Sequence, residues 1–477
     1  MINLVQTTQA SLLHVLSFEG RFYLFSGINM LIARIPESFA RAIQAAVAAE
    51  EALPSRAIRT CDAQWKMFEA LGDAGFFTPG ISDEDKKLAA DVRSCRSESL
   101  LVSLQIALTA SCTLSCRYCY ANGGAFTQKS PTQRIMALET LQRSLRTLLP
   151  RMAPRCEISL LGGEPLLHPS FPAVIDMIKS ECNSESRCVA LSVSTNGTVY
   201  SPALAKCLVI NRVKTSVSID GPASIQDAQR PTVLGEGSFS TVYANLRRFW
   251  DELGSDLLAV RITCTPESVL VIPEFLAELR ETFPGIRTEL APVIVNTSNP
   301  LSLFQGKAGA FVALQRRLFG EEFHRKRNAH SLTRDMVRQK IEADRVFLRQ
   351  PLIAKCEVGV NSASIATNGN LYPCIGLMDK EEYRLLYDSD GAFAIPPQLR
   401  ELYIQNTVLT RSECANCWAR YLCAGGCVAV NEVVTGSELT VCPDLCEIYR
   451  GAAEIALLGC IVSADKGLLG GGKVDWC

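Results

Sequence analysis

The sequence predicts an α/β protein: a partial (β/α)6 barrel, preceded by a small α+β module and followed by a cysteine-rich domain. Three patterns carry that prediction. From Leu100 to Val293 apolar strands alternate with helices, whereas the hundred residues before them hold short strands and helices in a different order. Ten of the chain's 20 cysteines then fall in residues 351–477.

The leading module begins with two short strands, Arg21–Phe25 and Met30–Ile35, around a Ser-Gly-Ile-Asn turn. Pro36 opens an Ala-rich helix, a second helix spans Asp62–Gly72, and DEDKKLAADVRS is expected as a third. The arrangement suggests a winged-helix-like, peptide-docking unit; an ordinary N-terminal cap is the plainer alternative.

The barrel strands read LLVSLQIAL, EISLLG, VALSVST, VKTSVSID, LLAVRITCT and RTELAPVIV. Helices are expected at Gln133–Leu149, Pro169–Glu181, Pro202–Val209, Ser240–Leu253 and Pro266–Thr282. Strands apolar on both faces suit a parallel sheet covered by helices, and six units fit a TIM-like barrel left incomplete. Chemistry in such barrels sits at the carboxyl ends of the strands. Residues 301–350 read as a charged helical linker, with HRKRNAH at 324–330 a solvated face. The divisions are therefore 1–98, 99–300, 301–350 and 351–477.

Lys plus Arg is 48 and Asp plus Glu 49, so a net charge of −1 removes the electrostatic warrant for a nucleic-acid or anionic-membrane binder. No apolar window is long enough to span a bilayer. The N-terminus, MINLVQTTQASLLHVLSFEG, has no basic segment, clean apolar run or cleavage site. With so many thiols the expected setting is a reducing cytoplasm, where cysteines stay free or bind metal.

The first strand is followed by TASCTLSCRYCYANGG, which sets Cys112, Cys116 and Cys119 in a Cys-x3-Cys-x2-Cys run. Three thiolates on one loop suit a [4Fe–4S] cluster. They serve three irons and leave the fourth open, as a catalytic centre needs. Gly162-Gly163-Glu164-Pro165 follows the second strand and Ser194-Thr195-Asn196-Gly197-Thr198 the third. Ser218-Ile219-Asp220-Gly221-Pro222 follows the fourth, then Arg230 and GEGSF at 235–239, and Arg261-Ile262-Thr263 marks the fifth.

With Tyr118 before the third Cys and these segments in register, the sequence resembles the radical S-adenosylmethionine (SAM) superfamily. The resemblance implies that SAM chelates the open iron and is cleaved by one electron to methionine and a 5′-deoxyadenosyl radical, which abstracts hydrogen from carbon. It implies SAM contacts from Tyr118, Gly162, Gly163, Glu164, Thr195, Asn196, Ser218 and Arg230. The glycine segment would face the methionyl amino group, and Ser218 and Arg230 the ribose and carboxylate. No catalytic acid or base is singled out.

The C-terminal spacings are Cys356-x12-Gly369-x4-Cys374, a gap, Cys414-x2-Cys417-x5-Cys423-x3-Cys427, a gap, then Cys442 and Cys446. They resemble the SPASM domain, an auxiliary iron–sulfur extension of peptide-modifying radical SAM enzymes. That resemblance implies two auxiliary [4Fe–4S] clusters. One would use Cys414, Cys417, Cys423 and Cys446, the last preferred over Cys442 because EIYR follows it. The other would use Cys356, Cys374 and Cys427, its fourth position left open or filled by Cys442, Cys460 or Cys477. Zinc ligation at 414–427 is the alternative. Cysteines 61, 95, 156, 182, 188, 207 and 264 read as small hydrophobes, and His168 as a structural loop residue.

The resemblance extends to sactipeptide-type maturases and the quinohemoprotein amine dehydrogenase maturase. It implies a peptide or small protein substrate and an electron donor such as flavodoxin or ferredoxin. Formylglycine-forming sulfatase maturases carry Asp after the hairpin Cys; here that residue is Ile375, with Asp379 four positions on. The expected product is therefore a Cys-to-carbon thioether. Formylglycine, carbon–carbon crosslinks, epimers and decarboxylated ends are the alternatives. A non-catalytic iron–sulfur carrier and a small-molecule radical enzyme are the rivals from other classes.

Overall fold

The computed structural model describes residues 8–9, 12–55, 58–59, 61–77, 100–126, 133–325, 351–355, 361–378, 380–387, 393–394 and 396–465. The third helix expected in the leading module, Cys95, Cys356, Asp379, Cys477 and most of the 324–330 charge run lie outside them.

The leading module is an antiparallel sheet of β1 (Leu13–Phe18), β2 (Arg21–Ser26) and β3 (Leu31–Ile35), followed by α1 (Glu37–Ala48) and α2 (Asp62–Asp73). The expected pair of strands is thus a trio. Strand β1 hid in the sequence because the sheet is covered on both faces, which erases apolar–polar alternation. Leu13, Leu24 and Ile35 pack with Phe39, Ile43 and Phe68 of the helices. Leu16, Tyr23, Phe25 and Ile32 pack instead with Val408, Cys414, Tyr421, Leu457 and Ile461 of the cysteine-rich region. His14 stacks on Trp418 with ring centroids 3.9 Å apart.

Gly27 makes that second contact possible, because an added Cβ would lie 2.2 Å from the backbone carbonyl oxygen of Trp418. Gly27→Ala is expected to destabilise the protein by about 1–3 kcal/mol, since neither backbone can yield cheaply. A urea melt reads this; a midpoint equal to wild type would contradict it.

The barrel sheet contains β4 (Leu101–Thr109), β5 (Met152–Gly162), β6 (Cys188–Thr195), β7 (Lys214–Ser218), β8 (Leu258–Cys264) and β9 (Arg287–Pro292). All six pair in parallel and in sequence order. Covering helices are α3 (Leu138–Leu148), α4 (Phe171–Ser184), α5 (Pro202–Ile210), α6 (Ala223–Gln229), α7 (Phe239–Leu257) and α8 (Ile272–Thr282). Local chemistry sets several boundaries. Ser201 caps α5 by accepting from Leu204 N–H at 3.2 Å, with Pro202 at the first helical position. Helix α3 begins five residues later than the apolar spacing suggested. Residues 134–136 run extended instead, with Met136 N donating to Leu108 O and Ala110 N to Arg134 O.

Helix α9 (Ala308–Arg325) follows, and the hairpin β10 (Ser362–Ile365) and β11 (Leu371–Tyr372) then extends the barrel sheet, β10 pairing in parallel with β4. The last described elements are α10 (Val428–Thr435) and the 23-residue α11 (Pro443–Asp465). One core runs from Leu104 and Ile158 through Phe311 to Leu445 and Ile448, so barrel and C-terminal region share it. Among the described residues no helix is long and apolar enough to cross a membrane.

Candidate active site

The loop after β4 is fixed by the backbone before any ligand is considered. Ser115 N donates to Pro231 O at 2.8 Å, Arg117 N to Gln229 O at 3.0 Å and Val233 N to Thr113 O at 3.0 Å. From the other side Gly163 N donates to Thr109 O and Glu164 N to Ser111 O, both at 2.8 Å. The thiol loop is therefore zipped to the segment after α6 and to the glycine segment after β5.

A cavity of about 700 Å³ opens at this end of the barrel, lined by Cys112, Cys116, Tyr118 and Cys119, with Val233, Ile294, Val295 and Val433 among its other walls. It lies at the carboxyl ends of the strands, where (β/α) barrels place their chemistry. Among the described residues no three His, Cys, Asp or Glu side chains are grouped closely enough to hold a single metal ion. A cubane takes each thiolate at a separate iron, so three thiols around a common space fit its donor chemistry. Burial pushes the Cys116 thiol up to about 11 against the pull of Arg230, so ligation must displace a proton.

Of the residues the sequence nominated for SAM, Tyr118 alone lines this cavity with the thiols. Glu164 is fully buried. Its Oε1 accepts from Leu166 N (3.0 Å) and Thr195 Oγ1 (2.8 Å), and its Oε2 from Asn196 N (2.7 Å). That carboxylate ties the ends of β5 and β6 together. Asn196 extends the network by donating to Thr113 Oγ1 at 3.0 Å and Cys112 Sγ at 3.4 Å. The glycines serve close approach. A Cβ on Gly163 would meet Ser111 O at 2.2 Å, and one on Gly124 would meet Gly163 N at 2.5 Å.

Arg230 is similarly engaged. Its Nε lies 2.9 Å from Asp220, and its remaining nitrogens approach Thr263 Oγ1 (3.3 Å) and Cys116 Sγ (4.0 Å). Its fork, expected at a ligand carboxylate, already has internal partners. Ser218 is half-buried at the end of β7. Asp220 was missed by the sequence reading, although it stands inside the quoted Ser218–Pro222 segment; its signal was an acid followed by glycine at a strand end.

Burial raises the Glu164 carboxyl from 4.5 to about 7, against the three hydrogen bonds that favour its charged form. A carboxyl raised on folding binds a proton that the unfolded chain has released. Its contribution is therefore fully present below pH 4.5 and lost as pH rises through 7, by about 3 kcal/mol at most. Glu164→Gln should flatten the melting temperature of the metal-free protein between these limits. It should also lower it, since one of the donors now served by the carboxylate would face an amide NH2. A pH profile parallel to wild type would contradict this.

In the C-terminal region Cys414, Cys417, Cys423 and Cys446 form one neighbourhood. After burial, the nearby thiols Cys417 and Cys446 are among the influences raising Cys414, to about 11, and Cys414, Cys446 and Cys417 among those raising Cys423, to about 12. Cys374 stands apart from that group; burial and then Cys427 raise it to about 11. Tyr449 lies beside both groups: its hydroxyl accepts from Cys427 N at 3.4 Å, and its ring abuts Gly426. His168 is buried, its Nε2 2.8 Å from Met136 O and its Nδ1 accepting from Ser170 N. Of the cysteines without ligand spacing, Cys156, Cys182 and Cys264 are buried, Cys61 and Cys207 intermediate and Cys188 exposed.

Comparison with known proteins agrees with this geometry. The cysteine-type anaerobic sulfatase-maturating enzyme of Clostridium perfringens is 23% identical over 364 residues, covering 73% of this chain and 94% of that protein. The GTP 3′,8-cyclase of Chlorobaculum tepidum is 33% identical over 117 residues, 24% of this chain and 32% of its own. Among solved structures, native anSMEcpe with bound AdoMet and the Kp18Cys peptide shares the fold. Its TM-score is 0.59 at 20% identity, covering 76% of this chain and 99% of that one. The Radical SAM superfamily model matches residues 106–281, which span β4 to α8 with the thiol loop near their start. Residues 106–281 thus carry a radical SAM domain.

Proposed function

We propose that this enzyme is a peptide maturase that joins a cysteine sulfur to a carbon of its substrate as a thioether. The observation that carries the reading is the placement of the Cys374 hairpin on the catalytic barrel. Strand β10 pairs with β4, and Gln105 of β4 accepts from Ile375 N at 2.8 Å through its side-chain oxygen. The thiol loop that leaves β4 and the Cys374 hairpin are thus both anchored on one strand. The Clostridium perfringens relative is named for sulfatase maturation, and the similar structure described above is solved with a peptide, which supports a peptide substrate here.

Cys112, Cys116 and Cys119 would hold the catalytic [4Fe–4S] cluster. SAM would lie between that cluster and the strand ends, contacted by Tyr118, Gly162, Gly163, Thr195, Asn196 and Ser218. Glu164 and Arg230 would act from behind, holding the loop. When bound and reduced, the cluster supplies the electron that cleaves SAM and generates the hydrogen-abstracting radical. Cys414, Cys417, Cys423 and Cys446 would hold one auxiliary [4Fe–4S] cluster, and Cys374 and Cys427 with Cys356 another.

The chain's own task is to position the peptide and exclude water. Val233, Ile294, Val295 and Val433 supply apolar wall for both purposes. Thioether formation removes two hydrogens from the peptide, one as an atom and one as a proton with an electron, so an acceptor is required and an auxiliary cluster would provide it. Ile375 favours this product over formylglycine. It packs with Ala107, Tyr372 and Met378, offering no base where sulfatase maturases carry Asp. A reducing cytoplasm with a flavodoxin or ferredoxin donor suits such chemistry.

The test is anaerobic reconstitution, 5′-deoxyadenosine release from SAM with dithionite, and mass spectrometry of cysteine-containing peptides co-expressed with the enzyme. A thioether loses two hydrogens, keeps its sulfur and resists thiol alkylation. Loss of the sulfur would indicate formylglycine. An unchanged mass would indicate epimerisation, and an alkylatable thiol with two hydrogens lost a carbon–carbon link.

A further inference from the structure

Asp220 follows β7 and its side chain is fully buried. A buried carboxylate persists only when it is paired and hydrogen-bonded. Here Oδ1 accepts from Thr263 N at 3.0 Å, while Oδ2 takes the Tyr118 hydroxyl and lies 2.9 Å from Arg230 Nε. Three strand ends are tied at one carboxylate: the loop after β4, the turn after β7 and β8 itself. The backbone closes the same circuit. Asp220 N donates to Gln226 Oε1 (2.9 Å), Gln226 Nε2 to Ser238 Oγ (3.0 Å) and Ser238 Oγ to Arg230 O (2.6 Å).

Arg230 is thereby aimed. Its guanidinium carbon sits 5.4 Å from the Tyr118 ring centroid, and one terminal nitrogen reaches 4.0 Å from Cys116 Sγ. Tyr118 is one of the two residues between Cys116 and Cys119, so the carboxylate grips the thiol loop from within.

We propose that Asp220 is a positioning residue for the catalytic cluster, presetting the loop through Tyr118 and holding a compensated Arg230 against Cys116 so that the pair sets the cluster's potential. This rests on the reading that Cys112, Cys116 and Cys119 hold that cluster. Hydrogen bonds and charges around ligating sulfurs are recognised levers on iron–sulfur potentials. Asp220 and Arg230 are close to neutral as a unit; without the carboxylate, a full positive charge would stand beside the thiolate.

The experiment compares wild type, Asp220→Asn, Asp220→Asn/Arg230→Gln and a triple Cys→Ala variant at 112, 116 and 119. Each is reconstituted anaerobically, with iron content and an EPR-monitored redox titration as readouts, without SAM. Asp220→Asn is expected to load iron and become about tenfold easier to reduce, a positive shift of 59 mV for one electron. The double variant, with neither charge, should return to the wild-type potential or below it. A role in folding alone would lower stability without this rise and return.

Wild-type potential in Asp220→Asn, or a double variant as positive as the single, overturns the inference. If Asp220→Asn does not load iron, the double variant decides: loading at or below the wild-type potential supports the inference, and failure to load overturns it. Iron retained in full by the triple Cys variant would instead overturn the cluster assignment itself.

Discussion

Gly163→Ala is expected to abolish iron loading at the thiol loop and SAM cleavage with it. The added Cβ would sit 2.2 Å from Ser111 O and 2.3 Å from Gly123 O, two carbonyls from different segments. Neither can swing aside, because the strain falls on backbone rather than on a flexible side chain. The glycine segment must then leave the loop, breaking the bonds from Gly163 N to Thr109 O and from Glu164 N to Ser111 O. The cost is set at about 3 kcal/mol or more, the upper end for overpacking. Gly235→Ala is the control: its φ is +82°, but nothing lies within 4 Å of the added Cβ. It should cost about 1–2 kcal/mol from left-handed backbone alone and load iron normally. Iron analysis and thermal melts of the two variants make the comparison, and wild-type loading by Gly163→Ala would defeat the argument.

Cys446→Ser should remove one cluster's worth of iron, whereas Cys442→Ser should remove none. Cys446 figures among the thiols that raise Cys414 and Cys423, and Cys417 among those that raise it in turn. Cys442 enters neither of those first two sets; burial and Asp444 raise it, against backbone hydrogen bonds at Leu445 and its own position. One turn of α11 separates the two residues, since Cys446 N donates to Cys442 O at 3.0 Å. Four residues along a helix advance it by about 6 Å, enough to take a sulfur out of a ligand set. Iron and sulfide counts on anaerobically reconstituted protein read the outcome, and the opposite pattern would reassign the fourth ligand.

The N-terminal module changes how a truncation must be read. Removing residues 1–98 would deprive Val408, Cys414, Tyr421 and Leu457 of their partners Leu16, Tyr23, Phe25 and Ile32. Loss of turnover would then report a damaged cysteine-rich core as readily as a missing peptide dock. Substitutions on the module's surface discriminate between the two; deletion does not.

Local spacing determined a good deal. The six barrel strands, their order and the position of the thiol loop after the first were legible because each strand is a short apolar run closed by polar turn residues. Cys112, Cys116 and Cys119 stood out because thiols grouped on one loop must be close in sequence. The cysteine-rich C-terminus was legible for the same reason. What the sequence could not decide depends on partners far apart in the chain. The internal partners of Glu164 and Arg230, Thr195 and Asn196 for one and Asp220 for the other, came into view only in the fold. Strand β1 was invisible because both faces of its sheet are covered, one of them by residues some 400 positions away. The sequence by itself determined which chemistry this chain carries. Only the tertiary structure decided which internal partners its buried polar groups meet, because a buried charge takes whatever partner the fold brings to it.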